Sequence, residues 1–244
     1  MRESLVCATP ESAGNRSAAQ GNPSPGFSGG IRPSGLWVSF LGPDGSGKSS
    51  VIARYVPSME PYFRGVRQFH LRPGLLRGTA AAQIPNTDPH GQEPRGWLAS
   101  TAKALYFWAD YTLGYWFRVR PLLARSQLVV FDRYYHDLPI DARRFRYGGP
   151  RWLARLIARL IPLPDLMLVL DAPPDLLQAR KQEVTAEESV RQSEAYRAVA
   201  LSDSVRGRAV LVDASQPLEQ VVRDCKVRTL DLLATRTRRG RGQD

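Results

Sequence analysis

The apolar positions of this 244-residue chain gather into five short runs separated by longer segments of helical period. The runs are LWVSFL from Leu36, VRQFHL from Val66, LVVF from Leu128, LMLVL from Leu166 and AVLV from Ala209. Near-continuous apolarity predicts strands buried on both faces rather than the alternation of a half-exposed sheet. Helices are predicted between them: Gly47 to about Val56, a long one from about Gly96 to Arg125, and others opening at Pro150, Pro173, Thr185 and Pro217. Pro173, Pro174 and Asp175 suit a first helical turn, and Thr185 with Glu188 three residues later reads as a capping box. Strands alternating with helices predict an α/β fold built on a parallel sheet. Leu75 to Pro94 has neither period and reads as a loop.

Outside the periodic region the composition changes. Residues 1–34 are rich in Gly, Ser, Pro, Ala and Asn, too poor in apolar side chains to offset ordering, and are expected to form a disordered extension. Residues 35–234 are expected to be one domain, and 235–244 a short solvated basic tail. A formal net charge of +11 favours anionic partners, among them nucleic acid, phosphorylated metabolites and acidic membrane surfaces. The most apolar stretch, Ala104 to Phe117, is too short to span a bilayer and contains Asp110, so no membrane association is expected. Cys7 and Cys225 lie too far apart in sequence to form a disulfide framework or a metal site. With no secretory pattern at the front, a reducing cytoplasmic location is expected.

The candidate chemistry lies just after the first run, in LGPDGSGKSS. Gly42, Gly47, Lys48 and Ser49 satisfy G-x-x-x-x-G-K-[ST] between a predicted strand and a predicted helix, the context this motif requires. Glycines let the backbone curl so that its N–H groups point at phosphate oxygens, and the helix that follows adds the positive end of its dipole. Gly42, Asp44, Gly45, Ser46, Gly47, Lys48, Ser49 and Ser50 are therefore the candidate nucleotide-binding residues. Lys48 is placed to reach the terminal phosphates, and the Ser49 hydroxyl to ligate Mg²⁺. A second element agrees: LVVFD ends a predicted strand on Asp132, the acidic residue such a loop needs to complete a magnesium shell.

Together these segments resemble the thymidylate kinase family of P-loop nucleoside monophosphate kinases. The likeness rests on FLGPDGSGKSS, on DRYY after the third strand, on LPDLMLVLDAPPDLLQARK and on VLVDASQPLEQVV, and covers Leu36 to about Leu233. It implies a P-loop NTPase fold, a three-layer α/β/α arrangement with a five-stranded parallel sheet and a small lid. It implies ATP and Mg²⁺ as cofactors, a nucleoside monophosphate as small-molecule substrate, and a homodimer packed through helices; nucleic acid is not an expected partner. By the resemblance, Asp44 approaches the acceptor's sugar hydroxyl, Arg133 binds the acceptor phosphate, and Arg180, Lys181 and Arg191 are lid cations closing on the transferring group. Ala214, Ser215 and Gln216 correspond to the adenine-contacting loop.

The acceptor side departs from the family pattern. Where the family carries REPG the chain has LRPG, with Leu71 and Arg72 at the first two positions, and Tyr111 stands where the long helix usually offers an arginine to thymine. Arg72 and Tyr111 are accordingly the candidate acceptor contacts. After DRYY the sequence runs HDLPIDARRFRYGGP, and Arg143, Arg144 and Arg146 suit either a more anionic acceptor or a solvated basic turn. Trp108, Tyr111, Tyr115 and Trp116 at helical spacing read first as core packing. Among the three histidines, His136 alone adjoins a candidate motif. Three other readings stay open: a kinase for a nucleoside or phosphorylated sugar, a nucleotide-binding protein without catalysis and, from the net charge alone, a nucleic-acid-binding role.

Overall fold

The computed structural model describes residues 35–76, 96–180 and 185–241. Five strands form one parallel sheet in the order β2-β3-β1-β4-β5. They are β1 (Leu36–Leu41), β2 (Val66–His70), β3 (Leu128–Asp132), β4 (Leu166–Asp171) and β5 (Ala209–Asp213). Central β1 is buried at every residue, and β3 and β4 are buried up to their terminal aspartates. The two edge strands are half-exposed, contrary to the expectation of five buried strands. An edge strand has a neighbour on one side only, so Arg67, Gln68 and His70 can reach water there.

Helices cover both faces. On one, α1 (Lys48–Met59), α6 (Pro174–Arg180) and α8 (Leu218–Arg241) pack on the Leu36, Val38 and Phe40 side of β1. On the other, α2 (Trp97–Gly114), α5 (Arg151–Leu160) and α7 (Ala186–Leu201) pack on the Trp37 and Leu41 side. This is the three-layer α/β/α arrangement expected from the sequence.

Local deviations have local causes. The long predicted helix is broken: α2 passes through a π turn, Tyr115–Val119, into the short α3 (Arg120–Ala124). Pro121 has no N–H to give the carbonyl four residues back, and a wider turn accommodates that loss. A short helix not foreseen, α4 (Asp137–Ile140), follows β3. Thr185 caps α7 as expected, its hydroxyl accepting from the Glu188 amide at 3.3 Å. The basic segment expected as a loose tail continues α8 to Arg241. Arg236 anchors it to Asp165 at 2.6 Å, while the other oxygen of that carboxylate accepts the Trp37 amide at 2.9 Å. Residues 1–34 with Cys7, most of the stretch Leu75–Pro94 expected as a loop, and residues 181–184 with Lys181, expected as a lid cation, lie outside the described residues. Among the described residues no helix is long and apolar enough to cross a membrane.

Candidate active site

The loop between β1 and α1 is shaped by glycine. Gly42, Gly45 and Gly47 take φ of 142°, 82° and 83°, a region that L side chains rarely enter. At two of them space is lacking as well: a Cβ on Gly42 would lie 2.5 Å from the Leu170 carbonyl oxygen, and one on Gly45 would lie 2.7 Å from that of Leu177. The chain therefore curls tightly against β4 and α6. The first helical bond of α1 runs from the Val51 amide to the Gly47 carbonyl at 2.9 Å. The amides of Lys48, Ser49 and Ser50 precede that bond and have no acceptor in the helix. They form the donor-rich positive end of a helix beside a concave loop, a site built for phosphate.

Lys48 lies inside the curl, its ammonium donating to the Gly42 and Pro43 carbonyls at 2.7 Å each and to the Ser46 hydroxyl at 3.3 Å. Burial, aided by the positive charge of Arg133, pulls its pKa down to about 7, against the opposing pull of Asp44, Asp137 and Asp132. Ser49 and Ser50 are exposed on the open side of the loop. Asp132 ends β3 beside Phe40 of β1, partly exposed, with the His70 Nδ1 at 3.4 Å from its carboxylate. Burial raises its pKa, but the hydrogen bond and charge of His70 with Arg133 and Lys48 hold it below the usual range.

Facing the loop is a cluster of buried charge. Arg133, the residue after Asp132, is held in a left-handed conformation (φ 74°) by its amide donating to the Phe40 carbonyl at 3.0 Å. This turns its side chain to Asp44, which it meets at 2.6 Å, and to Asp137, which it meets at 3.3 Å. The second oxygen of Asp44 accepts from Arg144. Burial pushes the Asp44 carboxyl up, yet Arg133, Arg144 and Lys48 outweigh it and hold the group well below the carboxylate range. Asp137 is fully buried, and burial raises its pKa against Arg133 and Lys48. His136 beside it is buried with Nδ1 unpartnered among the described residues and is pushed down to about 4, so it is neutral.

Behind the loop opens a cleft of about 220 Å³ lined by Ser46, Gly47, Ser50, Val51, Arg180 and Ala214, closed below by Gln216, Leu218 and Val221. Arg180 donates to the Ala214 carbonyl at 2.9 Å, which sets it in this cleft beside Ser46, Gly47 and Ser50. Asp213 organises the segment after β5: its carboxylate takes the Ser215 amide at 2.9 Å, the Ser215 hydroxyl at 2.6 Å and the Gln216 amide nitrogen at 3.2 Å.

The acceptor-side candidates are placed less openly. Tyr111 is buried against Tyr134 and Tyr135 and gives its hydroxyl to the Leu71 carbonyl, so it supports the loop after β2. Arg72 lies over the rings of Tyr106 and Phe107 and approaches Asp110 at 3.4 Å. Arg191 on α7 is tied to Glu188 at 2.5 Å and to the Ile140 carbonyl at 2.7 Å. The structure thus brings Lys48, Asp44, Asp132 and Arg133 together, and leaves Arg72, Tyr111 and Arg191 in supporting contacts. Two participants lay outside the sequence reading. Asp110 accepts the Gly74 and Leu76 amides at 3.2 and 2.9 Å and so fixes that loop from α2. Asp137 braces Arg133, and its spacing four residues on from Arg133 in DRYYHD was the available signal.

A parallel sheet whose first strand delivers a lysine-bearing phosphate loop, opposed by a strand-end aspartate and arginine, defines a P-loop phosphotransferase of the nucleotide kinase class. A family model described as thymidylate kinase matches residues 40–225. The thymidylate kinase of Bacillus cytotoxicus is 30% identical over 206 residues, covering 78% of this chain and 94% of that protein. Those of Thermomicrobium roseum and Leuconostoc mesenteroides are 29% and 25% identical, covering 83% and 80% of this chain and 98% and 95% of theirs. The chain belongs to the thymidylate kinase family.

Proposed function

We propose that the protein transfers the γ-phosphoryl group of ATP to the phosphate of a nucleoside monophosphate, with dTMP as the acceptor named by its relatives. The observation that carries this reading is the enclosure of Lys48 by a glycine curl whose own Asp44 is gripped by Arg133 from the end of β3. Phosphoryl transfer asks for positioning and charge neutralisation more than for covalent chemistry, and this arrangement supplies both. The loop amides and Lys48 grip the donor's phosphates, and Arg133 grips the acceptor's. An acceptor phosphate oxygen is already anionic at neutral pH, so no general base is needed. Arg180, Ala214 and Gln216 line a cleft of a size for the donor's base, with Ser215 in the same loop. Arg180 is thus reassigned from the transferring phosphoryl group to the base.

The residues present also fit a magnesium ion: Ser49 offers an exposed hydroxyl at the loop's mouth, and Asp132 is held ionised at the adjacent strand end. When bound, the ion spreads the negative charge of the donor phosphates. A homodimer is part of the same proposal. Along α2 and the π turn, Leu98, Leu105, Trp108, Leu113 and Trp116 are exposed, an apolar stripe that a second copy would cover. Leu105→Glu should then shift the sedimentation of a dimer to that of a monomer.

The direct test of function offers labelled ATP to a panel of dTMP, dUMP, purine and cytidine monophosphates, thymidine and a sugar phosphate. Label in dTDP supports the proposal. Label confined to a hydroxyl acceptor replaces it with the nucleoside or sugar kinase reading, and ATP binding without transfer to any acceptor replaces it with a non-catalytic one.

A further inference from the structure

Arg144 has no place in the machinery described so far, yet it reaches the phosphate loop from 100 residues away in sequence. Its position is built. The turn that carries it is pinned by Phe145 and Tyr147, both buried, and by the Tyr147 amide donating to the Ala142 carbonyl at 2.8 Å. The Arg144 amide itself donates to Asp141 at 3.1 Å. The side chain extends from this anchored backbone to Asp44, where it meets the same carboxylate that Arg133 holds from the other oxygen. The Arg133 and Arg144 side chains are only 11% and 21% exposed and that of Asp44 only 6%, so the three groups are shielded together.

One carboxylate gripped through both oxygens by two guanidiniums has the form of a two-arginine anion site occupied by an internal anion. Arg133 has a second carboxylate in Asp137, so it stays compensated when Asp44 is drawn away; Arg144 keeps no second side-chain carboxylate among the ion pairs of the described residues. An incoming dianion beside this pair would meet Arg144 as the guanidinium with a single anionic partner to exchange. A dianionic acceptor also approaches a polyanionic donor, and one cation on the acceptor side leaves half its charge unbalanced.

The geometry points to Arg144 as a second guanidinium of the acceptor site: it binds the acceptor's phosphate together with Arg133, and Asp44 holds both arginines in register until that phosphate arrives. This rests on the monophosphate-acceptor reading above. It makes the site selective for a phosphorylated acceptor over the matching nucleoside, and it assigns a role to one arginine of the Arg143–Arg144–Arg146 cluster.

The test measures equilibrium binding of dTMP and of thymidine, which lacks the phosphate, to the full-length wild type, Arg144→Gln and Arg144→Lys. A lost charge-assisted contact to a phosphate predicts that Arg144→Gln weakens dTMP by roughly 10- to 100-fold, leaves thymidine within about 2-fold, and is partly rescued by lysine. In turnover the same variant should raise KM for dTMP while KM for ATP stays unchanged. If Arg144 only braces Asp44, both ligands weaken alike and ATP with them, and the inference fails. Equal dTMP affinity in wild type and Arg144→Gln also overturns it, with the acceptor reading intact. If wild type binds no dTMP at all, the acceptor reading falls and the inference falls with it. Thermal midpoints of the variants separate unfolding from lost binding, and Arg144→Lys, which keeps the ion pair to Asp44, carries the test if Arg144→Gln does not fold.

Discussion

Lys48 gives the account its most quantitative handle. Its ammonium is buried within the loop and its pKa is drawn to about 7. A bound polyphosphate places negative charge against the amine and pushes the value back up, so the free protein must take up a proton to bind at alkaline pH. The sign follows: below 7 the lysine is already charged and affinity is insensitive to it, while above 7 affinity falls as pH rises. From a value of 7, the charged fraction drops from roughly 24% at about pH 7.5 to roughly 1% at about pH 9, a loss near 24-fold or about 1.9 kcal/mol. In that window nucleotide phosphates are already fully ionised, so the slope belongs to the protein. The assay is titration of a fluorescent ATP analogue with Mg²⁺ across the window, with calorimetry in two buffers of different ionisation enthalpy to count the proton. Lys48→Arg, charged throughout, should lose the slope. Flat affinity in the wild type, with no proton uptake, would refute the reasoning that Lys48 is buried beside the phosphate site.

Other consequences concern the frame around that lysine. Gly45→Ala adds a Cβ against the Leu177 carbonyl at a left-handed φ, and should lower stability by about 1–3 kcal/mol and abolish nucleotide binding; an unchanged melting midpoint counts against the strained-loop account. Asp110→Ala leaves Arg72 and the Gly74 and Leu76 amides without their carboxylate, at a cost of about 3 kcal/mol in denaturant unfolding, and should raise KM for the acceptor more than for ATP. His136 is neutral in the fold, with its pKa pushed down to about 4. Between the ordinary histidine value and 4 the unfolded chain binds the extra proton, so stability falls as pH falls. Across roughly 2.5 pH units this amounts to about 3.4 kcal/mol, which His136→Gln should remove; identical acid-side slopes in the two proteins would show that the histidine is not buried as described.

The parallel sheet and the phosphate loop were legible because both are local signals. Continuous apolar runs such as LMLVL mark central strands, and GPDGSGKSS requires its glycines within six residues of one another. Partners distant in sequence were not legible. That Tyr111 gives its hydroxyl to Leu71, and that Asp110 beside it takes the Gly74 and Leu76 amides of the same loop, depends on how α2 is rotated against the sheet. Periodicity fixes a helix's buried face but not which buried group meets which loop. Arg180 reads as a lid cation because it stands where the sequence enters a lid-like segment; its bond to the Ala214 carbonyl just after β5, 34 residues on, is not written in that local pattern. The basic end of the chain read as a tail because its charge hides helical continuation, and Asp165, which anchors Arg236, lies 71 residues earlier.

The central claim is that the loop around Lys48 delivers the γ-phosphoryl group of ATP to dTMP. The measurement that tests it most directly is transfer of labelled γ-phosphate to dTMP by wild type and Lys48→Ala at saturating nucleotide, with both proteins verified as folded. The account predicts labelled dTDP from the wild type and none above background from the variant. Equal turnover by the two proteins would contradict it.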